Sequence, residues 1–165
     1  MSLITTLGYV RRDLESLREW CRQQSATEQS ISSRYAFDRT HKWFGHHVVL
    51  TKCPIIKKGY QDNRITQFGN IVLPGWDCAL LCHYRPGGCM KSHRDHHVFE
   101  PSLVLVNIGC ATLRVDKEVR NLEDGEVIQF KSDVEHQLFP LQAERWSLLF
   151  RRIKSEYLPA DLLHS

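Results

Sequence analysis

The sequence predicts an all-β core, a sandwich or barrel, preceded by one helix, and three observations carry that prediction. Between residues 46 and 155 the apolar residues fall in short runs bounded by turn residues, the pattern of half-buried strands. No stretch in that region sustains a helical period. Near the N-terminus, by contrast, residues 11–24 carry Leu14, Leu17, Trp20 and Cys21 at steps of three and four among Arg and Glu, which makes one apolar stripe of an amphipathic helix.

The elements follow in order. Residues 25–45 are polar and turn-rich but hold Tyr35, Phe37, Trp43 and Phe44, so they read as a long loop or short hairpin bearing aromatics. The expected strands are 48–51, 71–73, 79–84, 103–108, 113–115, 127–130 and 146–153. Turn chemistry separates them at Pro74-Gly75, Pro86-Gly87-Gly88, Gly109 and Asp124-Gly125. No repeat, low-complexity tract or change of composition divides the 165 residues, so one domain, 1–165, is expected.

Composition removes several classes. With 42% hydrophobic and 25% charged residues the chain is a folded protein rather than a disordered or fibrous one. No apolar run is long enough for a membrane helix, and Arg11, Arg12, Asp13 and Glu15 stand where a secretory signal would be apolar, so a cytoplasmic location without membrane contact is expected. Six cysteines without paired spacing read as reduced thiols, mostly small core residues. The net charge of +3 permits a nucleic-acid partner without requiring one.

The chemistry centres on three residues. His93 and Asp95 are two apart, so in an extended chain both point to one face and can share a metal ion. His136 follows the 127–130 run and a short connection, from which a returning strand can supply a third ligand. Two imidazoles and one carboxylate form the facial triad of non-haem Fe(II) oxygenases, with positions open for co-substrate and O2. A 2-oxoglutarate dianion would then need fixed cations. On the last strand Arg145, Ser147, Leu149 and Arg151 share a face, and burying two arginines there is costly without an anion. A structural zinc on Cys78, Cys82, Cys89 and His83 is the rival metal reading, although no Cys-x-x-Cys is present.

From about Leu80 to Ile153 the chain resembles the AlkB-like branch of the Fe(II)- and 2-oxoglutarate-dependent dioxygenases. The resemblance rests on Tyr84-Arg85-Pro86-Gly87 leading into His93-Arg94-Asp95, then Gly125 before a strand, His136, and Arg145-Trp146 through Phe150-Arg151. It implies a double-stranded β-helix (jelly roll), with 79–155 as the catalytic β core and 1–78 as the N-terminal helix and substrate-lid region. By the same resemblance His93, Asp95 and His136 are catalytic iron ligands, while Tyr84, Arg145 and Arg151 hold 2-oxoglutarate. The cofactor set is then Fe(II), 2-oxoglutarate and O2, and the favoured substrate is alkylated DNA or RNA, demethylated oxidatively with release of formaldehyde.

Two positions depart from the family pattern. Cys82 stands where Asn is frequent, which removes one polar contact to the co-substrate, and His97 stands where an acidic residue is frequent. His97 therefore falls where relatives read a damaged base. Trp43 and Phe44, with Arg39, His41 and Lys42, would suit a cationic aromatic lid over a nucleotide. Two alternatives stay open at this level: a hydroxylase of a protein side chain or small metabolite on the same core, and a non-enzymatic jelly-roll binding module.

Overall fold

The computed structural model describes residues 1–25 and 34–160, and ten strands and two α-helices run through them. Strand β1 (Thr5–Tyr9) precedes helix α1 (Leu14–Ser25), which buries Leu17 and Cys21 and rests Trp20 beside them, the stripe read from the sequence. Burial pushes the Cys21 thiol up to about 12, so it acts as a small apolar group. Then come β2 (Ala36–Val49), β3 (Ile55–Lys58) and α2 (Asn63–Val72). The remaining strands are β4 (Cys78–His93), β5 (Phe99–Ile108), β6 (Ala111–Val115), β7 (Glu118–Leu122), β8 (Glu126–Lys131), β9 (His136–Leu138) and β10 (Arg145–Ile153).

All strand pairs are antiparallel, and the order β1-β8-β5-β10-β4-β9-β6-β7 curls on itself, with β2 on the other side of β4 and β3 beyond it. This is the jelly roll. The N-terminal half of β4 lies between β10 and β2, and its C-terminal half lies between β9 and the start of β2, so one long strand links the two parts of the curled sheet. Trp146, Leu148 and Phe150 turn outward to a core shared with α1 and α2; Leu103, Leu105, Leu113, Ile128 and Phe130 fill part of the interior.

Pro86-Gly87-Gly88 does not end a strand as expected, because the glycines bend β4 without breaking it. Gly87 adopts φ +86°, and a Cβ on Gly88 would lie 3.0 Å from Asp38 O, where β2 passes close by. Along β4 the chain runs past that bend from Tyr84, opposite β10, to His93, opposite β9.

Other expectations need correction. The part of 25–45 that the structure describes includes the start of a 14-residue strand, β2, which is longer than the expected 48–51; residues 26–33 lie outside the described residues. Its pairing with β4 overrides the local turn-like composition. Residues 71–73, expected as a strand, end α2 instead. Asp62 caps that helix by accepting from the backbone N–H groups of Arg64 (2.8 Å) and Ile65 (3.2 Å). Its inward stripe of Ile65, Phe68, Gly69 and Val72 is short and interrupted by Gly69, whose missing side chain admits the Trp76 ring. β1, β3 and β7 are too short and exposed to announce themselves in the apolar pattern.

Candidate active site

His93 ends β4, and directly across the antiparallel pair stands His136 at the start of β9. Asp95 follows just past the end of β4, where its backbone N–H donates to Ser132 O at 2.9 Å. These placements gather one ligand atom from each of the three residues within 4.8 Å of one another, an arrangement able to hold a metal ion. The side chains are only 8%, 10% and 9% exposed, in the order His93, Asp95, His136.

Backbone carbonyls orient both rings. His93 Nδ1 lies 2.7 Å from Lys91 O and His136 Nδ1 lies 2.8 Å from Val134 O, so each Nδ1–H donates to the backbone and each Nε2 faces Asp95. Asp95 Oδ1 is 3.2 Å from His93 Nε2 and 3.3 Å from His136 Nε2. Its other oxygen, Oδ2, accepts a hydrogen bond from Arg151 Nη1. Burial alone would raise the Asp95 pKa, but Arg151 and the two histidines hold it well below the usual carboxylate range. The donor set is one charged carboxylate and two imidazole nitrogens, which fits Fe(II).

A second polar group lies farther along the interior. Tyr84 on β4 has Arg145 of β10 opposite it on one side and Arg39 of β2 on the other. Both guanidinium groups act on the phenol electrostatically, their positive charge opposing the rise that burial imposes on it. Arg145 is fully buried; its Nε donates to Asn107 Oδ1 at 2.7 Å, its plane lies over the Tyr84 ring, and its Nη2 is buried with no hydrogen-bond partner among the described residues. Burial lowers the Arg145 pKa and pushes the Tyr84 phenol up to about 12. Arg151 likewise keeps a buried Nε with no partner there. Unsatisfied cationic donors inside a barrel fit an anionic group such as a dicarboxylate.

The expected substrate contacts fare differently. Trp43 and Phe44 are buried, 6% and 2% exposed. Phe44 faces the helices and packs on Trp20, on the opposite side of the sheet from the triad, while Trp43 faces inward but stacks against His47 and Phe99. Neither offers an open ring face. His97 is exposed, stacked on His96 and edge-on to Tyr157.

Three residues gain weight from the structure. Tyr35 stacks on the His93 ring with centroids 5.1 Å apart and planes 16° from parallel. Asn107 is fully buried and donates to Gly109 O and Glu123 O while accepting from Arg145. A lone amide in the apolar run 103–108 was its visible sign. Arg39, grouped in the sequence with a lid, lies inside the barrel. The zinc alternative loses its geometry, since His83 points to the opposite face from Cys78 and Cys82, stacked on Trp146 and bonded to Glu144. Among the described residues the triad is the one cluster of His, Cys, Asp and Glu suited to a metal. No described helix is long and apolar enough to cross a membrane.

No family model matches the chain, and no curated protein sequence matches it. Solved structures do. The chain superposes on OsALKBH1 with a TM-score of 0.66 at 13% identity, covering 92% of this chain and 99% of that one. A prolyl hydroxylase from Trichoplax adhaerens, in complex with a hypoxia inducible factor oxygen degradation domain peptide fragment, gives 0.64 at 13% identity over 99% and 87%. A Pseudomonas putida prolyl-4-hydroxylase gives 0.61 at 18% over 91% and 92%. At such identities the likeness establishes the fold.

Proposed function

We propose that this chain is an Fe(II)- and 2-oxoglutarate-dependent dioxygenase that demethylates alkylated nucleic acid, and the carrying observation is the convergence of His93, Asp95 and His136 next to buried, incompletely satisfied guanidinium groups. Fe(II) with 2-oxoglutarate and O2 supplies the oxidising chemistry, with succinate and CO2 as products. The side chains bind, orient and exclude water. His93 and His136 hold the metal through Nε2, their tautomers set by the Lys91 and Val134 carbonyls. Asp95 lends its charge, and Arg151 occupies its second oxygen so that Oδ1 is left for the metal. Tyr84 and Arg145 hold the far carboxylate of 2-oxoglutarate, and Arg151 the end near the metal.

The nucleic-acid reading is supported by Tyr35, whose stack on His93 marks a flat aromatic slot against a proposed metal ligand, with the Arg34 guanidinium over the Tyr35 ring. An alkylated base would take the place against His93 that Tyr35 fills, with Tyr35 as its other face. His97, exposed two residues beyond Asp95, is a further proposed contact. Hydroxylation of an N-methyl carbon gives a product that releases formaldehyde. The likeness to two prolyl hydroxylases favours a second reading, hydroxylation of a protein side chain, which adds one oxygen and releases no formaldehyde.

The test is an anaerobic titration of the protein with Fe(II) and 2-oxoglutarate, following the visible charge-transfer band of the chelate. The band is expected in wild type and absent in His93→Ala. Absence from both would overturn the oxygenase reading in favour of a binding module. With the band established, a methylated oligonucleotide should yield succinate and formaldehyde together; succinate with a one-oxygen mass gain on a peptide would overturn the nucleic-acid reading alone.

A further inference from the structure

Tyr84 sits in a row of three cross-strand partners, Arg39, Tyr84 and Arg145, so that two guanidinium groups flank one phenol. The Arg145 guanidinium lies over the phenol ring, its Cζ 5.4 Å from the centroid, and Arg39 stands across the pair on the other side. In the next row Cys82 lies opposite His41 and Ser147, and Arg39 Nη1 reaches its Sγ at 3.7 Å, a weak acceptor for a charged donor. Arg145 makes no ion pair among the described residues, and Asn107, its Nε partner, is a neutral amide. His41 beside them is held neutral, its pKa brought down to about 4 by burial and by Arg39 and His47. The end of the barrel away from the triad thus concentrates positive charge and hydroxyl donors.

We propose that Arg39, on β2, is a third holder of the far carboxylate of the co-substrate, completing with Arg145 and Tyr84 a pocket that selects 2-oxo diacids over 2-oxo monoacids. This rests on the dioxygenase reading above and adds to it a residue from a strand outside the 79–155 core. Arg39 binds one carboxylate oxygen, Arg145 Nη2 the other, and the Tyr84 hydroxyl donates between them. A planar guanidinium on each side suits a carboxylate better than a single one, and burial keeps water from competing.

The experiment is an anaerobic calorimetric titration of Fe(II)-loaded full-length protein with 2-oxoglutarate and with 2-oxobutyrate, which lacks the far carboxylate. Arg39→Gln should weaken 2-oxoglutarate binding roughly tenfold to a hundredfold, as for one lost charge-assisted hydrogen bond. Binding of 2-oxobutyrate should be unchanged. Arg39→Lys, which keeps charge and volume, should fold and show a smaller loss confined to 2-oxoglutarate. Unchanged 2-oxoglutarate binding in both variants, or parallel loss of both acids, would overturn the role of Arg39 while leaving the dioxygenase reading intact. Failure of the wild type to bind 2-oxoglutarate would overturn both.

Discussion

Arg151 Nη1 donates to Asp95 Oδ2 while Asp95 Oδ1 faces both His93 Nε2 and His136 Nε2, so one buried carboxylate divides its two oxygens between a cation and the ligand cluster. Removing the cation leaves a buried charge uncompensated. Arg151→Met should therefore destabilise the metal-free protein by about 3 kcal/mol, the usual cost of breaking one side of a buried pair. Urea unfolding measures it. A divalent ion such as Mn(II), which restores positive charge beside Asp95, should recover part of the loss; a variant as stable as wild type without metal would mean that the pair carries no net stability.

Asn107 is the corresponding support for Arg145. Its amide donates to two backbone carbonyls, at 2.6 Å to Gly109 O and 2.8 Å to Glu123 O, and accepts from Arg145 Nε. Asn107→Leu keeps the volume and strands all three partners. The expected cost is at least about 2 kcal/mol, since each buried unsatisfied group costs roughly 1–3 kcal/mol. Weaker 2-oxoglutarate binding should accompany it, because Arg145 loses the contact that fixes its plane. Stability and affinity both at wild-type level would show that water replaces the amide.

The aromatic residues separate substrate contact from core. Tyr35→Ala should weaken binding of a methylated oligonucleotide and leave 2-oxoglutarate binding and stability nearly as they were. Phe44→Ala should do the reverse, costing about 3–5 kcal/mol as buried aromatic truncations do. Thermal unfolding and an oligonucleotide binding titration, run on both variants, decide it. A Phe44→Ala protein of normal stability with lost nucleic-acid binding would reinstate the lid expected from the sequence.

That lid shows where the sequence was legible and where it was not. Period-two spacing puts Arg145 with Arg151 on one interior face of β10, a relation that strand geometry makes local, while His93 and Asp95 meet across the end of β4. The opposition of His93 and His136 needs β4 to continue past Gly87 and Gly88 to pair β9, a long-range pairing that turn residues alone read as a break. Trp43 and Phe44 are adjacent, and adjacency in a strand sends two rings to opposite faces; only the hidden strand β2 made that evident. Arg39 and Asn107 belong to the co-substrate pocket through cross-strand neighbours that no local pattern announces.

His41 makes the pH dependence of folding testable. Its ring is partly buried between Arg39 and His47 on its own strand and across from Cys82 on β4, its Nδ1 has no partner among the described residues, and its pKa falls from an ordinary 6.5 to about 4. As pH falls through 6.5 the unfolded chain takes up a proton that the folded chain refuses until about 4. This contribution to stability is therefore complete above pH 6.5 and is lost as pH falls toward 4. Every other titrating group is common to wild type and His41→Leu, so comparing their melting temperatures at pH 8 and pH 5 isolates this ring. The wild type should lose several degrees more than the variant between the two values. Equal losses would mean that His41 accepts its proton in the folded protein as readily as in the unfolded chain, and that the positive charge gathered around Tyr84 does not reach it.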